Sequence, residues 1–67
     1  MNWDMIKGKW TQAVGSAKQT WGKLTDDELT RIEGDRDKLV GLVQERYGVA
    51  KEEAERQVDN WSSDARV

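Results

Sequence analysis

The stretch WDMIKGKWTQAVGSAKQTWGKL, residues 3–24, carries three of the four tryptophans in the chain. On a helical wheel, Trp3, Ile6, Trp10, Ala13, Val14, Ala17, Trp21 and Leu24 fall within one arc of roughly 100°. That spacing predicts a single amphipathic helix of about five turns. It also accounts for all three indoles as an inward face, with no ligand needed.

Working outward, LTDDEL (24–29) reads as a stop and a restart. Thr25 is a good N-cap and Glu28 stands three positions on, which makes a capping box. Asp26 and Asp27 place negative charge where the helix dipole favours it. A second helix therefore starts at Asp26, buries Leu29 and Ile32, and ends or kinks at Gly34. A third runs through DRDKLVGLVQERY, with Leu39, Val40, Val43 and Tyr47 on one face and Gly48 as a left-handed cap. A fourth covers KEEAERQVDNW, with Ala54, Val58 and Trp61 inward. Its start is weaker, because Ala50 has no side chain that can cap. The expectation is an all-α fold, a small bundle of four short helices, forming one domain over 1–67 with residues 62–67 frayed. The expected core is Trp10, Val14, Trp21, Leu24, Leu29, Ile32, Leu39, Val40, Val43, Tyr47, Val58 and Trp61. Trp3 and Trp61, near the two ends, are placed to pack together; an exposed one would instead be a contact for a partner.

The glycines keep a seven-residue beat, Gly8, Gly15, Gly22 and again Gly34, Gly41, Gly48. An offset of 26 superimposes the two sets, with Val14 on Val40 and Trp21 on Tyr47. One reading is two pseudo-repeated helical hairpins. Gly22 and Gly48 are explained as C-caps. Gly15 and Gly41 are not, and each costs its helix up to ~1 kcal/mol against alanine. Either another backbone packs closely there, or the helices are soft.

Composition narrows the chemistry. A chain of 67 residues buries only about 60% of its unfolded surface. Its core supplies roughly 3–5 kcal/mol of net stability. Leu, Ile and Val total twelve and Phe is absent, so the four tryptophans matter. There is no cysteine and no histidine, which removes thiolate chemistry and soft-metal sites. Acid–base work would fall to carboxylates, lysines, hydroxyls and Tyr47, and these need a dry cleft that four short helices scarcely provide. DDELTRIEGDRD lacks calcium-loop spacing and reads as a solvated acidic face. No cofactor, metal or small-molecule substrate is implied, and the expectation is a non-enzyme. No apolar run approaches the ~20 residues of a membrane span, and the N-terminus lacks a signal-peptide core. A cytoplasmic location is the default.

Charge is uneven. Residues 1–24 hold four lysines against Asp4, a balance of +3, while residues 25–67 hold seven basic and twelve acidic groups, a balance of −5. The candidate contact surface is therefore on the first helix: Trp3, Lys7, Lys9, Lys18 and Lys23. Its partner is open between a protein and a second copy. A membrane surface or nucleic acid is the weaker alternative, since the tryptophans share the only face available for a core.

WGKLTDDEL, followed by IEG, LVG, QERYG and KEEAE, resembles the CsbD family of small bacterial stress-response proteins. The resemblance covers about residues 8–61. It implies a compact four-helix domain, expression under general or osmotic stress, and no settled biochemical activity. It brings no catalytic residues. Family members often carry lysine around the glycine at position 15, where this chain has Val14 and Ser16, which weakens an inherited argument for an anionic partner. Two function readings follow: a folded interaction module, or a hydrophilic protectant acting through its solvated surface.

Overall fold

The computed structural model describes residues 3–64. Among them the fold is all-helical: α1 (Trp3–Gly8), α2 (Trp10–Thr20), α3 (Asp26–Arg31), α4 (Arg36–Tyr47) and α5 (Lys51–Asp64). α1 runs into α2 at Lys9, α2 packs on α3, and α4 packs on α5.

The expected first helix is two helices. Lys9 leaves helical geometry, with φ −117° and ψ 34°. Its N–H is shared between Met5 O and Ile6 O, both at 3.1 Å. Its carbonyl takes the N–H groups of Gln12 and Ala13, both at 3.0 Å. The chain bends between two turns that still obey one apolar pattern. The reason is tertiary. The bend brings Ile6 to full burial and lets Trp3 pack against the core.

Capping follows the sequence in most places. Glu28 N–H donates to Thr25 Oγ1 at 3.1 Å and Thr25 N–H donates to Glu28 Oε1 at 3.2 Å, which closes the capping box. α4 begins on Asp35, whose Oδ1 accepts from Lys38 N–H at 3.1 Å. It ends at Gly48, in left-handed geometry with φ 64°. α5 starts without a side-chain group at Ala50, whose carbonyl takes Ala54 N–H at 3.0 Å. Glu52 and Glu53 complement the dipole there. The helix runs on to Asp64, through residues expected to fray, and Ser62 Oγ donates to Asp59 O at 2.9 Å. Residues 65–67 lie outside the described residues.

One glycine reading changes and another is decided. Gly22 is not a left-handed cap; α2 closes on Trp21, whose N–H reaches Ala17 O at 2.7 Å. A Cβ at Gly15 or Gly41 would meet nothing within 4 Å, so no close backbone explains either one. Gly34 is the glycine that is needed. It has φ 79°, is buried, and a Cβ there would lie 3.0 Å from Lys7 Cγ and 3.2 Å from Lys7 Cα.

Ten of the expected core residues are buried, joined by Ile6, Ala13, Ala17 and Ala54. Val14 and Tyr47 are half-buried at the rim. Tyr47 stays there because its hydroxyl accepts Lys23 N–H at 3.0 Å.

Gly15→Ala and Gly41→Ala should each stabilise the fold, by up to ~1 kcal/mol. For a domain of this size the full effect corresponds to a Tm about 4–8 °C higher. Thermal unfolding followed by far-ultraviolet circular dichroism measures this, and a lower Tm in either variant would contradict the open space at that position.

Candidate functional site

The feature that most resembles a site is the meeting of all four tryptophans. Trp61, on α5, is the hub. Its ring centroid lies 6.0 Å from Trp3, 6.2 Å from Trp10 and 5.4 Å from Trp21. Trp3 and Trp10 are 6.2 Å apart. The planes are tilted or edge-to-face, the geometry that the aromatic quadrupole favours. Trp10, Trp21 and Trp61 are 8%, 2% and 5% exposed.

Every indole N–H in the cluster is used inside the protein. Trp3 Nε1 donates to Gly34 O and Trp10 Nε1 to Leu29 O, both at 2.7 Å. Trp21 Nε1 donates to Gln57 Oε1 and Trp61 Nε1 to Ser16 Oγ, both at 3.0 Å. Gln57 in turn donates Nε2 to Glu53 Oε2 at 2.9 Å, which orients the amide so that its oxygen faces Trp21. The bond from Gln57, and then that from Arg56, holds the Glu53 carboxyl below the usual glutamate range. No buried side-chain polar atom among the described residues lacks a partner.

The candidate contact residues are spread around this cluster. Trp3 is half-buried against the core. Lys7 lays its stem on Gly34. Lys9 is exposed at the bend. Lys18 pairs with Asp26 at 3.2 Å, and Lys23 Nζ sits 5.2 Å from the centre of the Tyr47 ring. Lys18 and Lys23 thus have partners on α3 and α4, whereas Trp3 and Lys7 share the Gly34 corner. Ser16 and Gln57 were missed as indole acceptors. Their only signal in the sequence is a polar side chain bordering each apolar stripe.

Elsewhere the surface is charged. Arg36 on α4 donates Nη2 and Nε to Asp59 Oδ1 on α5 at 2.8 and 3.2 Å, with Glu55 at 3.9 Å. The Asp59 carboxylate raises the Arg36 pKa above its ordinary value. Arg46 pairs with Glu28, joining α4 to the capping box. Met5, 48% exposed, is the one large apolar side chain left exposed among the described residues. Among those residues no group of three or more His, Cys, Asp or Glu could hold a metal, and no helix is long and apolar enough to cross a membrane.

Two outcomes follow from this geometry. Trp61→Ala removes the hub, at a typical cost of about 3–5 kcal/mol for a buried aromatic. That equals the whole expected stability of so small a domain, so the variant should be largely unfolded at 25 °C by circular dichroism. Glu53 has a lowered pKa, so its stabilisation is present above the unfolded value of about 4.3 and disappears as pH falls through the lower folded value. Glu53→Gln should therefore flatten the acid limb of Tm against pH below about pH 4.3, and an unchanged limb would show that the Gln57 and Arg56 bonds carry no such linkage.

Comparison with known proteins gives a consistent match. A family model described as CsbD-like covers residues 4–56. A UPF0337 protein of Pectobacterium atrosepticum is 61% identical over 61 residues, 91% of this chain and 88% of that protein. One from Bordetella pertussis is 60% identical over 58 residues, 87% of this chain and 88% of its own length. UPF0337 protein YjbJ of Escherichia coli K12 is 54% identical over 63 residues, 94% and 91% of the two chains. Tryptophan spacing, capping box, glycine stops and a match across most of the length agree: the chain belongs to the CsbD-like family.

Proposed function

We propose that this chain is a non-catalytic, cytoplasmic protein of the bacterial stress response that acts as a protectant through its hydrated surface. The observation that carries the reading is the use of all four indoles and their N–H groups inside the fold. What remains outside is charged and polar, with Met5 as the one large apolar exception among the described residues. Such a surface binds water and resists self-association at high concentration. Soft helices at Gly15 and Gly41 suit a protein whose selection is for solubility rather than rigidity. The stress association rests on family membership.

The finer architecture behind this is two pseudo-repeated hairpins, α2–α3 and α4–α5, offset by 26 residues. The packing of α2 on α3 and of α4 on α5 supports it. Against a strict repeat, Gly48 is left-handed and Gly22 is not.

A second reading is contact with a protein partner or a second copy through Trp3, Lys7, Lys9, Lys18 and Lys23. It is favoured by the half-exposure of Trp3 beside the exposed Lys7.

Drying a labile enzyme with increasing amounts of this protein separates the two. Under the first reading, recovered activity rises with the mass ratio and exceeds that with an unrelated globular protein of equal charge. Replacing Lys7, Lys9, Lys18 and Lys23 together by glutamine, with the fold retained, leaves recovery within about twofold. A collapse of recovery in that variant would move the assignment to the partner contact.

A further inference from the structure

The bend at Lys9 has two unusual properties. The apolar positions on either side of it lie on one continuous helical stripe, from Trp3 to Trp21, as though the chain were written for a straight helix. Yet a single non-helical residue, Lys9, lies between α1 and α2; its φ −117° and ψ 34° depart from the helical values of about −63° and −42°. No proline enforces the bend, and the chain contains none.

What holds α1 down is a clasp at Gly34. The Trp3 indole donates to the Gly34 carbonyl at 2.7 Å. The backbone and stem of Lys7 rest where a side chain at Gly34 would be, within 3.0–3.3 Å of a Cβ there. Ile6 is fully buried behind them, and Trp3 meets Trp10 and Trp61. Gly34 itself is held in left-handed geometry, directly after Glu33 with φ 55°. The clasp thus joins a helix of six residues to a turn that only glycine fits, and among the described residues no ion pair forms part of it.

We infer that α1 and α2 form one helix held bent by the Gly34 clasp, and that α1 is a flap whose release straightens the helix and uncovers Trp10 and Trp61. Closed, the protein shows the polar surface described above. Open, it presents Trp3, Ile6, Trp10 and Trp21 along one side of a helix bearing Lys7, Lys9 and Lys18, with α4 and α5 still paired through Arg36 and Asp59. This equilibrium does not depend on which functional reading holds.

The absence of cysteine makes the test direct. Spin labels on Asp4→Cys and Asp37→Cys report the clasp, because both positions line the cleft at Gly34. Labels on Asp4→Cys and Gln19→Cys report straightness, with about 22 Å between backbones expected for fifteen residues of unbroken helix. The unmodified background should give mainly short distances in both pairs. Trp3→Phe removes the indole donor and keeps a ring. It should raise the long-distance fraction at least threefold, with the Asp4–Gln19 distribution narrowing near the straight-helix value. Gly34→Ala should do so more strongly, while amide protection in α4 and α5 persists in both variants; should Gly34→Ala unfold, Trp3→Phe decides. Unchanged distances in a folded Trp3→Phe protein would overturn the clasp. A long but broad Asp4–Gln19 distribution, with lost helicity, would show α1 melting and overturn the straight helix.

Discussion

The contact on which the rest depends is that of Trp61 with the three other indoles. A chain with twelve branched aliphatic residues and no phenylalanine has little else to close a core. Each tryptophan can bury 150–250 Å² or so. The hub lies on the last helix, and its neighbours lie on the first two and at the residue that closes α2, so one cluster ties the two ends of the described chain together. Large rings carry a liability, since each buried N–H left unpaired would cost about 1–3 kcal/mol. The fold meets it with two backbone carbonyls, one hydroxyl and one amide. These bonds also set direction: an indole fixed at its N–H cannot rotate to face solvent. That is why lysine and tryptophan, interleaved in the sequence, part company in the structure.

The same cluster explains where local preference loses. A straight helix from Trp3 onward would satisfy backbone bonding and the apolar stripe together. It would also carry Ile6 and Trp3 past the end of the bundle into water. Burying two such side chains is worth several kcal/mol at about 25 cal/mol per Å², against the smaller loss of regular geometry at one residue. The bend at Lys9 is the result, and Gly34 is its counterpart, a place where α1 can approach backbone because no Cβ intervenes.

Legibility follows the range of the interaction. The Thr25–Glu28 box and the Gly48 cap are set within three or four residues, and both stand as the sequence implies. The apolar faces are periodic, and most of the core follows from them. The break at Lys9 depends on Gly34 and Trp61, far along the chain, so periodicity alone cannot carry it. Gly22 misleads for a related reason: it follows a tryptophan whose burial closes α2 one residue early. The alanines at positions 13, 17 and 54 are fully buried, as their places on the apolar stripes imply. For the candidate contact surface, residue types and spacing were legible, but pairing was not. Lys18 turns to Asp26 and Lys23 to Tyr47, across helix boundaries.

Gly15 and Gly41 then acquire a meaning that packing does not give them. Both face open space, so alanine would fit, and the fold forgoes helix stability at each. In a domain whose net stability is only a few kcal/mol, that loss changes how often helices open. It acts on α2 and α4, while the indole cluster and the Arg36–Asp59 pair still hold the elements together. A firm aromatic centre with loosened helices lets α2 and α4 fluctuate locally while Trp61 still gathers the indoles. Glycine in those two positions therefore tunes the stability of α2 and α4 without touching a contact of the indole cluster.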